Sequence, residues 1–322
     1  MVVRVFFMLL MVGRWVARPN RSRAGLEDNV GKKKGIFMTK RLSYYVFLMS
    51  LLMAMTVRGP RAMAQQGAPS AKGPEPVQKI GVVAHRGFHK YEGSAENTVS
   101  AMQNAVSHDF AGTEFDMQMT GDDVAIIFHD DKLEGLPIGE ASHTEVFEHP
   151  ASTLANGERI PTLQQFMDSY AKALAQQLAR NTSTWLFFEI KAPRNPDKIP
   201  LAAATAMEAV RQRGLEKNVC FISFSLAVCK LIADQMPDVS VAYLGGDMTP
   251  QELKEMGINS IDYNYKVLLE HPEWIQEAKK MGMKVNVWTV NDEKIARQMK
   301  EMGVDFITTD LPLDMERWLE DK

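Results

Sequence analysis

From Lys79 to the C-terminus, short apolar runs alternate with stretches of helical period, and this alternation constrains the fold more than any other feature of the chain. The strand patterns are Ile80–Ala84, Thr113–Met119, Trp185–Ile190, Val219–Ser223, Ser240–Leu244, Ser260–Tyr263, Lys284–Thr289 and Phe306–Thr308. Between them run the helical patterns Asn97–Ser107, Leu163–Leu178, Ala202–Arg213, Leu226–Gln235, Pro250–Met256, Pro272–Met281 and Asp292–Met302, and Leu313–Leu319 follows the last strand. Gly214, Gly257, Gly282 and Gly303 stand where helices must end, as left-handed caps do. Strand–helix alternation repeated this often predicts a parallel sheet, and eight strands with a helix after the last predict a closed (β/α)₈ barrel. An open doubly wound sheet is the competing architecture. No G-x-G-x-x-G follows the first strand and no Walker A sequence is present, which disfavours its nucleotide-binding forms.

One segment breaks the alternation. Gly121-Asp122-Asp123 signals a turn and Val124–Phe128 reads as another strand, a hairpin grafted onto the second barrel strand. Residues 131–160 then form an insertion before a helix resumes at Thr162, and insertions of this kind belong to the catalytic face of a barrel.

The N-terminus reads differently. Met38-Thr39-Lys40-Arg41 followed by an apolar run to Val57 and by Ala62-Met63-Ala64 is the pattern of a secretory signal, with Gln65 as the expected mature terminus. The run is shorter than the ~20 residues a membrane span prefers, so cleavage is expected rather than anchoring. Lys32-Lys33-Lys34-Gly35 precedes Met38 and has purine-rich codons. Met38 is therefore expected to be the true start, with residues 1–37 outside the natural product. Residues 65–78 are a flexible lead-in and 79–322 the barrel domain. The expected location is the periplasm or the cell exterior, with no membrane span left after cleavage. In that oxidising setting Cys220 and Cys229, the two cysteines present, are expected to be separate buried thiols rather than a bridge. With 37 basic against 40 acidic residues there is no cationic excess of the kind nucleic-acid binding needs, so an anionic substrate has to be attracted locally.

In a barrel the chemistry stands at the C-terminal ends of the strands. The first strand pattern leads into His85-Arg86-Gly87, the second contains Glu114-Phe115-Asp116, the hairpin strand leads into His129-Asp130, the third ends in Glu189-Ile190-Lys191, and the seventh carries Trp288. Glu114 and Asp116, two apart in a strand, share a face, as do Glu189 and Lys191. Three converging carboxylates repel unless neutralised. A divalent cation does this, and all-oxygen ligands suit Mg²⁺, Mn²⁺ or Ca²⁺ rather than Zn²⁺; an ion-pair cluster with Arg86 and Lys191 is the alternative. His85 and His129, each ending a strand on one face, can serve as base and acid across a scissile bond. His89, His108, His143, His149 and His271 lie in loops or helices and receive no role. Arg86 and Lys191 suit phosphate oxygens. No G-x-S-x-G elbow is present, and this set describes phosphoryl transfer from a small-molecule phosphodiester better than acyl transfer.

Ala84-His85-Arg86-Gly87, Glu96-Asn97-Thr98, Glu114-Phe115-Asp116 and His129-Asp130 follow one another in the order and spacing of the glycerophosphodiester phosphodiesterase family, which the chain resembles from about Ile80 onward. Ile160-Pro161-Thr162-Leu163, Glu189-Ile190-Lys191, Val287-Trp288-Thr289-Val290-Asn291 and Thr308-Thr309-Asp310 continue the match. The resemblance implies a (β/α)₈ barrel that hydrolyses glycerophosphodiesters to glycerol 3-phosphate and an alcohol through a cyclic phosphate. It implies His85 and His129 as the catalytic pair, and Glu114, Asp116 and Glu189 as ligands of one divalent cation, Ca²⁺ or Mg²⁺, with Mn²⁺ also admitted. Arg86 and Lys191 become phosphate contacts, Glu96 an orienting residue and Trp288 an aromatic wall; Glu96 also fits the N-terminal region of the first helix. Asp131–Pro150 departs from the Arg/Thr/Gly-rich stretch of many relatives and is expected to line the site. Two further readings remain. One is phospholipase C- or D-like action on lysolipids or phosphoinositides, which calls for an apolar rim built from Leu133, Leu136, Ile138 and Phe147. The other is a non-catalytic binding barrel, which calls for a lost histidine or carboxylate.

Overall fold

The computed structural model describes residues 79–90 and 93–320; the extension 1–37, the signal 38–64 and the lead-in 65–78 lie outside the described residues. In chain order the strands are β1 (Gly81–Ala84), β2 (Gly112–Met119), β3 (Ala125–Ile127), a two-residue ribbon β4 (Lys132–Leu133) and β5 (Leu136–Pro137), β6 (Trp185–Ile190), β7 (Val219–Ser223), β8 (Ser240–Tyr243), β9 (Ser260–Asn264), β10 (Lys284–Trp288) and β11 (Phe306–Thr309). Eight of them close a parallel barrel in the order β1-β2-β6-β7-β8-β9-β10-β11, with β11 back on β1. The fold is the (β/α)₈ barrel, and the open doubly wound alternative is excluded by that closure.

The alternation of side chains explains the two cores. Inward residues such as Val83, Phe187, Cys220, Ile222, Ala242 and Leu244 fill the barrel. Outward residues of the same strands, including Phe115, Phe188, Phe221, Tyr263 and Val285, pack under the helices. Phe115 lies between Phe166 and Phe188 with ring centroids 4.4 Å from each, contacts worth about 0.5–1.5 kcal/mol beyond area burial. Cys220 faces the interior and Cys229 a helix interface; both are buried free thiols. Among the described residues no helix is long and apolar enough to cross a membrane.

The β2 strand pairs twice along one edge. Its start lies on the end of β1, through Val83–Gly112 and Ala84–Thr113, and its end on the antiparallel β3, through Met117–Ile127 to Met119–Ala125. The hairpin expected after the second barrel strand thus continues the wall upward where β1 stops.

Three local readings change. The first helix spans Val99–Ser107 rather than beginning at Asn97, because Thr98 caps it by accepting from the Ala101 N–H and Asn97 stands in the left-handed region (φ 58°). Short helices at His143–Glu148 and Tyr265–Glu270 escaped the periodicity; the former carries a capping box between Ser142 and Glu145. The insertion does not line the cavity that holds His85 and His129. Leu133 and Ile138 are buried in a small core of their own with Ile126, Val146 and Ile160, and Leu136 and Phe147 pack against it. No apolar rim results from them, because a segment this long gains more by burying its apolar side chains against the hairpin than by presenting them to water.

Gly87 sets the turn that aims the first site loop. Its φ is +79°, and an added Cβ would lie 2.7 Å from the Ala101 Cβ. Gly87→Ala is expected to cost about 1–3 kcal/mol, lowering the melting temperature by about 2–4 °C per kcal/mol. An unchanged melting curve would show that the loop relaxes without strain.

Candidate active site

At the C-terminal mouth of the barrel a cavity of 170 Å³ is lined by His85, Arg86, Glu114, His129, Glu189, Lys191, Ile222, Phe224, Leu244, Asp262, Trp288, Thr289 and Thr308. Eight of the nine residues singled out from sequence are accounted for here: seven line it, and Asp116 stands behind them on β2, with a carboxylate oxygen 2.9 Å from the Lys191 Nζ. Glu96 reaches the site through Arg86, whose Nη1 donates to both of its carboxylate oxygens at 3.0 and 3.1 Å.

The strand period brings Glu114, Asp116 and Glu189 together, each offering an oxygen within 4.8 Å of the others. All three are buried. Burial first, then Asp116 and Glu189, push Glu114 well above its ordinary pKa. Burial and Asp116 raise Glu189 to about 7. Burial also works against Asp116, yet Lys191, the Asn97 amide and His129 outweigh it and hold that carboxyl below its ordinary value. Lys191 Nζ spans Asp116 Oδ1 at 2.9 Å and Glu189 Oε1 at 2.6 Å. Burial opposes its charge, but those two carboxylates raise its pKa overall. The ion-pair reading is thus realised for two of the three acids and stops at Glu114. That residue accepts the Arg86 backbone N–H on Oε2 at 2.8 Å, while its Oε1 is buried with no hydrogen-bond partner. An all-oxygen donor set, over-charged and with an acceptor left open, fits a hard divalent cation.

His85 follows β1 and is fixed from the other end of the chain. Its backbone N–H donates to the Thr309 carbonyl at 3.0 Å, and its Nδ1 lies 2.7 Å from Asp310 Oδ1. A carboxylate only accepts, so Nδ1 carries the hydrogen and Nε2, 4.0 Å from Glu114 Oε2, is the nitrogen left unprotonated in the neutral ring. The hydrogen bond from His85, chief among the causes, holds Asp310 well below the usual carboxylate range. Asn291 clamps the same carboxylate, donating to Oδ2 at 2.6 Å and accepting the Asp310 N–H at 2.9 Å. His129, beyond the end of β3, has Nδ1 2.7 Å from Asp130 Oδ1, which leaves its Nε2 free in the same way.

Several site residues were not singled out from sequence. Asp310 belongs to Thr308-Thr309-Asp310, a motif that signalled the family without revealing its partner. Asn97 donates to Asp116 Oδ2 at 2.8 Å and accepts the Asp116 N–H at 3.0 Å, which fixes the carboxylate's rotamer. Asp262 on β9 read only as part of a strand. It is 1 % exposed, and burial raises its pKa to about 7 against the pull of the Asn286 side chain. Trp288 donates from Nε1 to the Asp262 carbonyl at 2.9 Å and meets the half-exposed Phe224 edge to face, centroids 5.6 Å apart. The five other histidines do not line the cavity.

Comparison with known proteins agrees with this arrangement. Residues 85–314 match the model of the glycerophosphoryl diester phosphodiesterase family. A solved glycerophosphodiester phosphodiesterase from Parabacteroides distasonis is 38 % identical with a TM-score of 0.69, over 75 % of this chain and 97 % of that one. Glycerophosphodiester phosphodiesterases of Bacillus altitudinis and Caldanaerobacter subterraneus are 27 % and 26 % identical, each over 72 % of this chain and 94 % of the relative. The chain is a phosphoric diester hydrolase and belongs to the glycerophosphoryl diester phosphodiesterase family.

Proposed function

We propose that the protein hydrolyses glycerophosphodiesters to glycerol 3-phosphate and an alcohol in two steps, with His85 and His129 as its acid–base pair. The observation that carries this reading is the one cavity lined by both imidazoles and by Glu114 and Glu189 of the buried carboxylate cluster. His85, deeper and tied to Asp310, takes the proton of the glycerol 2-hydroxyl as that oxygen attacks phosphorus. The bond from phosphorus to the alcohol breaks, and His129, nearer solvent on the hairpin, gives the departing oxygen its proton. The product of this step is a five-membered cyclic phosphate. In the second step water attacks phosphorus and loses a proton to His129. The ring opens at the 2-oxygen, which recovers a proton from His85, and both imidazoles end as they began. Arg86 and Lys191 offer positive charge to the phosphate oxygens. Glu114, Asp116 and Glu189 would hold a divalent cation, which when bound would supply Lewis acidity to the phosphoryl group.

The packing of Leu133 and Ile138 into the insertion's own core speaks against the lysolipid reading, and the intact set of histidines and carboxylates against a non-catalytic barrel. The pattern of residues 38–64 supports export, which recovery of a mature chain beginning at Gln65 would establish. The test of the activity is release of glycerol 3-phosphate from glycerophosphocholine and glycerophosphoethanolamine by the purified protein in Ca²⁺, Mg²⁺ or EDTA. Cation-dependent release from both is expected, and no release under any condition rejects the proposal.

A further inference from the structure

Around the barrel, β9 stands four strands from β2 in either direction, so Asp262 lies across the mouth from Glu114 and Asp116. The wall it occupies is otherwise furnished by Ile222, Leu244 and Trp288, with Thr308. The Thr308 hydroxyl is already engaged, accepting from Asn286 at 2.9 Å. The Asp262 Oδ1 is buried and has no hydrogen-bond partner. A buried acceptor left open in a cavity is a receptor for a donor brought by the ligand. Trp288 fixes the position, because its indole N–H holds the Asp262 carbonyl and its ring closes the side of the cavity.

The two ends of a bound diester are distinguishable by where the imidazoles stand. His129 sits on the hairpin with a third of its side chain exposed, so the alcohol that it protonates leaves toward solvent. The glycerol half then extends from the cation cluster across the barrel toward β9. At 170 Å³ the cavity is below the range that holds drug-sized ligands, which suits one small polyol phosphate. The glycerol 2-hydroxyl is consumed by the chemistry, and the terminal hydroxyl is the donor that remains.

We infer that Asp262 accepts a hydrogen bond from the free terminal hydroxyl of the glycerol moiety and so makes this enzyme selective for fully deacylated diesters. The inference rests on the proposed glycerophosphodiesterase activity and names the part of the substrate that the site reads. A lysolipid acylated at that position has an ester oxygen there, which cannot donate. A site built to bond a hydroxyl rejects the analogue without it far more strongly than an apolar pocket rejects a missing methylene.

The test compares glycerophosphocholine with the phosphocholine ester of propane-1,2-diol, which keeps the attacking hydroxyl but ends in a methyl group. The wild-type protein is expected to prefer glycerophosphocholine by about 10²-fold or more in kcat/KM. In Asp262→Ala the preference should fall to about a few-fold, because the loss falls more heavily on glycerophosphocholine than on the ester. Asp262→Asn retains an acceptor oxygen and the side chain's shape; it should keep part of the preference, and it carries the test if the alanine variant does not fold. Equal hydrolysis of the two compounds by the wild type, or a preference undiminished in both variants, overturns the inference and leaves the proposed function standing. Failure of the wild type to cleave either compound overturns both.

Discussion

Alanine in place of His85 is expected to lower kcat by on the order of 10³-fold, with KM for glycerophosphocholine changed only a few-fold. The reason lies in its wiring. Asp310 orders one nitrogen, Asn291 and the Thr309 carbonyl fix the loop, and Nε2 is presented to the space beside Glu114. His85 is the imidazole whose Nδ1 is held by Asp310 and whose Nε2 lies beside Glu114, so the loss is expected on the chemical step rather than on binding. Asp310→Asn should reproduce much of this loss, about 10²-fold, without removing the imidazole. An amide can turn its NH₂ to Nδ1 and so favour the tautomer whose Nε2 is already protonated. The signature is a changed pH–rate profile in Asp310→Asn with an unchanged fold by circular dichroism. His85→Ala retaining more than about a tenth of the wild-type kcat would be incompatible with the role assigned to it.

Chelation is expected to remove activity to background and to expose a stability that declines as pH rises. Glu189 and Asp262 are raised to about 7 and Glu114 is raised as well, each chiefly by burial. Between about pH 5 and 7 the cation-free folded state therefore holds protons that the unfolded chain has released. More protons on the folded state means that unfolding becomes easier as pH rises, by about 1.4 kcal/mol per pH unit for each proton. That stability is fully present below the ordinary carboxyl range and is lost as pH climbs through the raised values. Asp116 and Asp310 are shifted the opposite way, so their contributions are complete by about pH 5 and add no slope above it. In EDTA the melting temperature should fall by about 10 °C or more from pH 5 to pH 8, and saturating Ca²⁺ or Mg²⁺ should flatten the curve by favouring the ionised acids. Glu114→Gln should melt higher than the wild type in EDTA at pH 8 while being inactive with the cation present. A cation-free protein equally stable across this range would mean that the cluster is not strained in the way its burial implies.

The barrel was legible because its strands are bounded apolar runs whose period of two also fixes which residues face one another. The spacing of Glu114 and Asp116 thus carried real geometric information, and the closed barrel brings Glu189 to the same point from β6. What stayed hidden depends on contacts distant in the chain. Asp310 is 225 residues from His85, and no local pattern connects them. Asn97 read as the start of a helix because its left-handed backbone is set by Asp116 rather than by its neighbours. Asp262 alternates correctly in its strand, and only the closed ring reveals that it faces the cavity. The insertion misled for a related reason: position in the chain placed it at the catalytic face, but its apolar residues found a core of their own.

The clasp between His85 and Asp310 joins the first barrel strand to the residue just after the last. Every other residue assigned to the acid–base pair or the cation cluster has been synthesised by Glu189, yet the base lacks its orienting partner until the final segment arrives. The proposed chemistry would therefore await completion of the ring, because the His85–Asp310 contact cannot form before Asp310 has been made. A chain still emerging from the ribosome, or one cut short before Phe306, would carry His85 without the Asp310 contact that orders its Nδ1.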